Sequence, residues 1–168
     1  PHELVLFAHP NCKQCAHTIP EISALAASGA SEVRVAILPR YPDGPEREVC
    51  AVLLAAGRAG GPDAFLRAFF YAKGRFLALM EEDFVGALAR ETSLTREVIE
   101  AELPAAWAMI AHTEEVAEGR IDGTPALFFD GRLYPYNTPV AHLEMLLQRH
   151  SALLPPRPGV AEREAAPA

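Results

Sequence analysis

Within its first fifteen residues the sequence passes from an apolar run at 3–8, through His9-Pro10-Asn11, into two cysteines three apart, Cys12-Lys13-Gln14-Cys15. The run Leu4-Val5-Leu6-Phe7-Ala8 is nearly continuous and has the length of a buried strand rather than a helix. Pro10 has no N–H for a sheet ladder and Asn11 is a good N-cap, so the chain turns and a helix is expected to start there. From that point the apolar spacing is helical, through Cys15, Ile19, Ile22 and Leu25, and Ser28-Gly29 ends it. Pro20 lies inside this helix and is expected to kink it or cost it one bond. A second strand reads at 32–38, where Val33, Val35 and Ile37 alternate with polar or small neighbours. Two strands joined by a helical crossover are expected to be parallel, with the cysteines at the start of the crossover helix.

Composition narrows what surrounds this unit. A chain of 168 residues, 50% of them apolar and 22% charged, suffices for one globular domain that buries roughly 70% of its unfolded surface. Charges interrupt every apolar run before the ~18–20 residues that a membrane span needs. A net charge of −7 argues against nucleic acid as a main partner, and with lysine only at Lys13 and Lys73 there is no polybasic membrane patch. Three cysteines allow at most one bridge and one free thiol. The chain opens at Pro1 with no leader sequence, as a processed product or an excised domain does.

From 45 to 119 the pattern is helical almost throughout. One helix is expected at 46–59, stopped by Gly60-Gly61, and Pro62 opens the next, through Phe65, Phe69 and Phe70. A short helix follows Glu81-Glu82-Asp83, a solvated start, and ends near Arg90. Thr95 caps a helix at 96–103, and Pro104 opens a long one to about Glu118 with Trp107 in the core. Strand character then returns: Ile121-Asp122-Gly123-Thr124-Pro125 leads into Ala126-Leu127-Phe128-Phe129, Asp130-Gly131 is a hairpin turn, and Arg132-Leu133-Tyr134 runs back. Thr138-Pro139 starts a last amphipathic helix through Val140, Leu143, Leu146 and Leu147. The Pro-rich, Ala/Glu-rich stretch at 151–168 reads as a disordered tail or linker.

The cysteine pair is where chemistry enters. A thiol attacks a disulfide only as thiolate. At the first turn of a helix, free backbone N–H groups and the positive end of the dipole lower the pKa of Cys12, and Lys13 adds a nearby cation. Cys15, one turn on and on the apolar face, is the less exposed sulfur and stands within reach to resolve a mixed disulfide. Half a zinc site has the same spacing. Further ligands would have to come from Cys50 or from His2, His9, His17, His112, His142 and His150, among which no His-x3-5-His pair exists. Cys50 reads as a packed free thiol, with a second redox partner as the alternative. His9 and His17 flank the motif and either could tune Cys12, but they read as satisfied bystanders.

These features together resemble the DsbA-like branch of the thioredoxin superfamily. The strand running into Cys12-Lys13-Gln14-Cys15 is one half of the resemblance. Gly123-Thr124-Pro125, which looks like that family's cis-proline loop ahead of the hairpin, is the other, and a helical insertion lies between them. The resemblance implies an α/β thioredoxin fold, β-α-β … β-β-α, with a four-stranded mixed sheet and an inserted helical subdomain. It divides the chain into a first core half at 1–44, the insert at 45–119, a second core half at 120–150 and the tail at 151–168. It also implies a thiol–disulfide oxidoreductase, an oxidase or isomerase, with Cys12 and Cys15 catalytic, Lys13 and Gln14 tuning the pair, and Gly123, Thr124 and Pro125 binding substrate. No metal or organic cofactor is needed. The implied partners are protein or peptide disulfides or dithiols and a recycling redox protein, in an extracytoplasmic bacterial setting. Two departures stand out. Leu6 occupies the place where many thioredoxin-like proteins bury an acid, and Lys13-Gln14 matches neither the Gly-Pro of reducing members nor the Pro-His of strongly oxidising ones. The rival readings are a redox domain cut from a membrane-tethered protein with one dedicated partner, for example a vitamin K epoxide reductase-like quinone-linked oxidase, and a non-catalytic binding or zinc-binding module.

Overall fold

The computed structural model describes residues 2–29, 31–41, 43–134 and 141–145. The described elements are β1 (His2–Ala8), α1 (Lys13–Ala27), β2 (Ser31–Ile37), α2 (Pro45–Glu81), α3 (Phe84–Thr92), α4 (Arg96–Ala117), β3 (Ala126–Phe129) and β4 (Arg132–Tyr134). They form one four-stranded sheet in the order β2-β1-β3-β4. β1 lies parallel to β2, whereas β3 is antiparallel to both β1 and β4. The sheet is mixed and a helical block interrupts it between β2 and β3, as the resemblance implies.

Register places Leu4 between Val33 and Phe129, and Leu6 between Val35 and Leu127. Leu4 and Leu6 are wholly buried and join Ile19 and Ile22 of α1 in the main core. That core continues into the helical block through Leu53, Phe69, Leu79, Leu88, Ile99 and Ile110, so sheet and insert share one apolar interior. The β3–β4 turn has positive φ at both Asp130 (47°) and Gly131 (78°), which suits a two-residue hairpin between right-twisted strands. The Asp130 carboxylate also accepts the Glu3 N–H at 2.8 Å and meets His2 Nδ1 at 2.7 Å, tying the hairpin to the start of β1.

The helical block departs from the sequence reading in four places. α2 runs from Pro45 to Glu81, with non-helical backbone at Gly61 (φ 81°) where a stop was expected, and a second break at Arg75 (φ −134°), directly after Gly74, that the sequence reading did not place. By length and composition α2 is also apolar enough to cross a membrane, against the expectation that charges exclude every such stretch. Half of its most apolar window is nevertheless buried inside the fold, and α3 and α4 pack along it. Pro104 does not open a helix; it sits inside a continuous α4. Pro104 and Glu100 both lie on the exposed face of α4, where a carbonyl that the proline leaves without a donor is tolerated at low cost. Trp107 is half-buried rather than core, with the Arg47 guanidinium 5.3 Å from its ring centre. Pro20 lies within α1, which runs on through it.

Residues 141–145 are helical and Leu143 is fully buried in the main core. The expected helix start at Thr138-Pro139, the positions Val140, Leu146 and Leu147, and the tail at 151–168 lie outside the described residues.

Candidate active site

The site begins where β1 ends. His9 C=O accepts the Cys12 N–H at 3.0 Å, which closes a four-residue turn with Pro10 in its second position. Asn11 is therefore inside the turn and cannot be the N-cap expected of it. Its N–H donates to His9 Nδ1 at 3.0 Å. The first extended residue after the turn is Cys12, with φ −99° and ψ 111°, and Cys12 caps α1 itself: its Sγ accepts the Cys15 N–H at 3.1 Å. No acidic residue lies in the first turn of α1. The sulfur thus occupies the position that a serine or aspartate oxygen takes at other helix starts, against the positive end of the dipole.

Cys12 and Cys15 are joined as a disulfide, with Cα atoms 5.2 Å apart. Cys12 exposes 7% of its surface and Cys15 none, the order expected from the apolar face. Lys13 and Gln14, between them, both point to solvent.

The second half of the chain comes to the same end of the sheet. Phe7 pairs with Ala126, so the residues ahead of Ala126 lie beside the last residue of β1 and the turn after it. The Thr124–Pro125 bond is cis. Gln14 lines one groove together with Gly123, Thr124, Pro125 and Tyr134. A second groove on the other side of Thr124 is walled by His9, Pro39 and Arg40 and by Glu115, Glu118 and Asp122. The fold therefore assembles Cys12, Cys15, Gln14 and the loop 123–125 at one place, with grooves on both sides of the loop.

No protein-family model and no curated protein matches this sequence. The likeness to known proteins is in the backbone. The oxidoreductase NmDsbA1 from N. meningitidis matches 91% of this chain and 86% of its own, with a TM-score of 0.68 at 20% identity. The thiol-disulfide exchange protein alpha-DsbA2 from Wolbachia pipientis matches at 0.67 and 13% identity, over 89% of this chain and 81% of its own. A periplasmic thioredoxin-like protein from Salmonella enterica serovar Typhimurium matches at 0.60 and 18%, over 90% and 84%. The fold is DsbA-like.

Next to the cysteines two residues distant in sequence, His9 and Glu46, come together. His9 is 1% exposed, and Nε2 of its ring lies 2.9 Å from Glu46 Oε1, off the axis of a hydrogen bond. Burial holds the His9 pKa below the usual imidazole value; Glu46 works against that shift and Arg40 adds to it. Glu46, in the first turn of α2, accepts the backbone N–H groups of Arg40 and Tyr41. A lone histidine before a Pro-Asn turn and a glutamate after Gly-Pro carry no pattern that would link them, because 36 residues separate the two. His17 is exposed.

Cys50 is wholly buried in α2 and free. Burial pushes its thiol pKa far up, and the nearby Glu46 and Glu114 push it further. Leu6 is wholly buried, so β1 carries no acid there. Among the described residues no three His, Cys, Asp or Glu side chains gather as a metal-ligand set. The Nδ1 of His9, one of the two histidines that flank the cysteine pair, is occupied by the Asn11 N–H.

Proposed function

We propose that this protein is a thiol–disulfide oxidoreductase that exchanges disulfides with protein or peptide substrates through Cys12 and Cys15. The observation that carries the reading is Cys12 as the cap of α1, with its sulfur accepting a main-chain N–H at 3.1 Å. That placement favours negative charge on sulfur, which both a nucleophile and a leaving thiolate need.

The reaction balances within the cysteines. A substrate thiolate attacks Cys12 Sγ, the Cys12–Cys15 bond breaks, and Cys15 leaves with the electron pair and takes a proton. A second substrate thiolate attacks the substrate sulfur of the mixed disulfide and releases Cys12 as thiolate. Two electrons pass from the substrate dithiol to the pair, and a redox partner removes them to start another cycle. Run in reverse, the same steps reduce a substrate disulfide. Lys13 and Gln14 tune the pair, and Gly123, Thr124 and Pro125 hold the substrate segment in the groove that they line with Gln14. No metal or organic cofactor takes part. The structural neighbour from Salmonella is periplasmic, and an extracytoplasmic setting suits a protein of this kind because disulfides persist there.

The test is exchange with a reduced, unfolded client protein under defined glutathione buffers, followed by trapping of mixed disulfides. The oxidised protein is expected to be reduced as client disulfides form, and Cys12→Ala is expected to abolish this. A protein whose pair neither accepts nor donates electrons across that range would overturn the reading.

A further inference from the structure

We infer that His9 is a positioning residue for Cys12, and that it acts through the Nδ1 atom that accepts the Asn11 N–H. This rests on the proposed role of Cys12 and adds to it the group that sets where the sulfur points.

One residue receives two consecutive N–H groups on the approach to the nucleophile. The His9 carbonyl takes that of Cys12 and the His9 ring takes that of Asn11, each at 3.0 Å. The consequence for Cys12 is specific. With the Asn11 and Cys12 N–H groups both engaged by His9, the donor recorded on Cys12 Sγ is the Cys15 N–H. A single N–H stabilises negative charge on sulfur only if the turn holds the sulfur in line with it, and the hydrogen bond weakens steeply away from that line.

The ring is held by its Nδ1 acceptor, by packing and by a close carboxylate. Nδ1 accepts, so the single proton of the neutral imidazole sits on Nε2. Nε2 faces Glu46 Oε1 at 2.9 Å, and the Phe76 ring packs against the imidazole with centres 5.1 Å apart. Glu46 in turn is fixed by the Arg40 and Tyr41 N–H groups. The end of β1, the start of α2 and the exit from β2 therefore converge on one imidazole, whose Nδ1 lone pair faces the turn and accepts the Asn11 N–H. The charged groups acting on the ring are Glu46 and Arg40, and burial keeps it neutral.

Asparagine and glutamine separate the two nitrogens. The Asn oxygen reaches the place of Nδ1, whereas the Gln amide reaches that of Nε2. In reduced protein carrying Cys15→Ala and Cys50→Ala, Cys12 alkylation by iodoacetamide is measured against pH for His9 and for His9→Asn, His9→Gln and His9→Phe. Circular dichroism checks that each variant is folded. Alkylation below neutrality is expected to slow about fivefold in His9→Gln and His9→Phe, the worth of one hydrogen bond, and to stay within about twofold in His9→Asn. Equal rates in all four proteins would overturn the inference, since His9 would then only fill the core. Equal slowing in all three variants would overturn it too, since packing rather than the acceptor would matter. A second measurement needs no variant. Long-range proton–nitrogen correlation on the native protein reads the tautomer, and a proton on Nδ1 at neutral pH refutes the assignment. If Cys12 with native His9 reacts no faster than free cysteine, the oxidoreductase reading falls, while the tautomer still reports on the turn.

Discussion

Replacing Lys13 by Glu tests the electrostatics of the Cys12 site most directly. Lys13 is the first residue of α1, next to the capping sulfur, and the first turn contains no acid that already opposes the dipole. The substitution removes a cation and adds an anion at that position. A charge in the first turn is worth ~0.3–1 kcal/mol against the helix dipole and its neighbours at a surface site, so two such steps weaken the thiolate by ~0.6–2 kcal/mol. Lys13 is exposed and screened by water, which places the effect at the lower end, near a threefold to tenfold loss of thiolate at a fixed acidic pH. The assay is iodoacetamide alkylation of reduced protein carrying Cys15→Ala and Cys50→Ala, so that one sulfur reports. Lys13→Gln is expected to give about half the effect of Lys13→Glu on a logarithmic scale, and added salt is expected to shrink both. An unchanged rate in Lys13→Glu would mean that the charge at position 13 does not reach the sulfur. A native Cys12 no more acidic than free cysteine would remove the chemical basis for the whole site.

The remaining expectations concern the other sulfurs, pH and the helical block. Cys15→Ala is expected to trap a dithiothreitol-sensitive mixed disulfide through Cys12, whereas Cys50→Ala leaves turnover intact; equal loss in both variants, read by gel shift and exchange rate, would give Cys50 a redox role. Because burial lowers the His9 pKa, the unfolded chain takes up the proton first as pH falls below about 6.5. Stability is therefore expected to decline from there down to the folded-state value and to gain nothing from His9 below it. Urea midpoints between pH 7.5 and 5 check this, and His9→Phe is expected to flatten that part of the slope. Thr95 caps α4 by accepting the Val98 N–H at 3.3 Å. Thr95→Ala is expected to cost about 1 kcal/mol, seen as a Tm lower by roughly 2–4 °C, without altering Cys12 alkylation.

Local chemistry explains what could be read from the chain before the fold was known. The strand ending at Ala8, the helix carrying both cysteines and the hairpin around Asp130-Gly131 follow from apolar spacing and turn residues acting within a few positions. Their errors are equally local. Asn11 has the better capping side chain, yet the turn closed on His9 makes Cys12 the first extended residue, and position decides the cap. Pro104 has every mark of a helix start, but a proline on a solvated face costs one bond to a carbonyl that water can satisfy, and packing against α2 carries α4 through it. Arg75 breaks α2 directly after Gly74, a glycine whose weakening of the helix was a local signal too slight to place a break on its own. The contact of His9 with Glu46 was illegible for a different reason. It depends on where β1 and α2 meet in space, and neither residue type announces a partner.

That contact bears on what the helical block does in this fold. A block inserted between β2 and β3 and closed on itself would leave the cysteine site to the sheet and α1. Here the first turn of α2 supplies Glu46 under the turn that presents Cys12, and the next turn supplies Cys50 to the core common to both parts. The end of α4 supplies Glu115 and Glu118 to the wall of one groove beside Thr124. Both ends of the block thus border the candidate site, while Phe69 and Leu88 in its middle are wholly buried in the core. Shortening the block from the middle therefore perturbs stability first. Changing its first turn reaches Cys12 through Glu46 and the buried imidazole, whereas changing its last turn alters the groove beside Thr124.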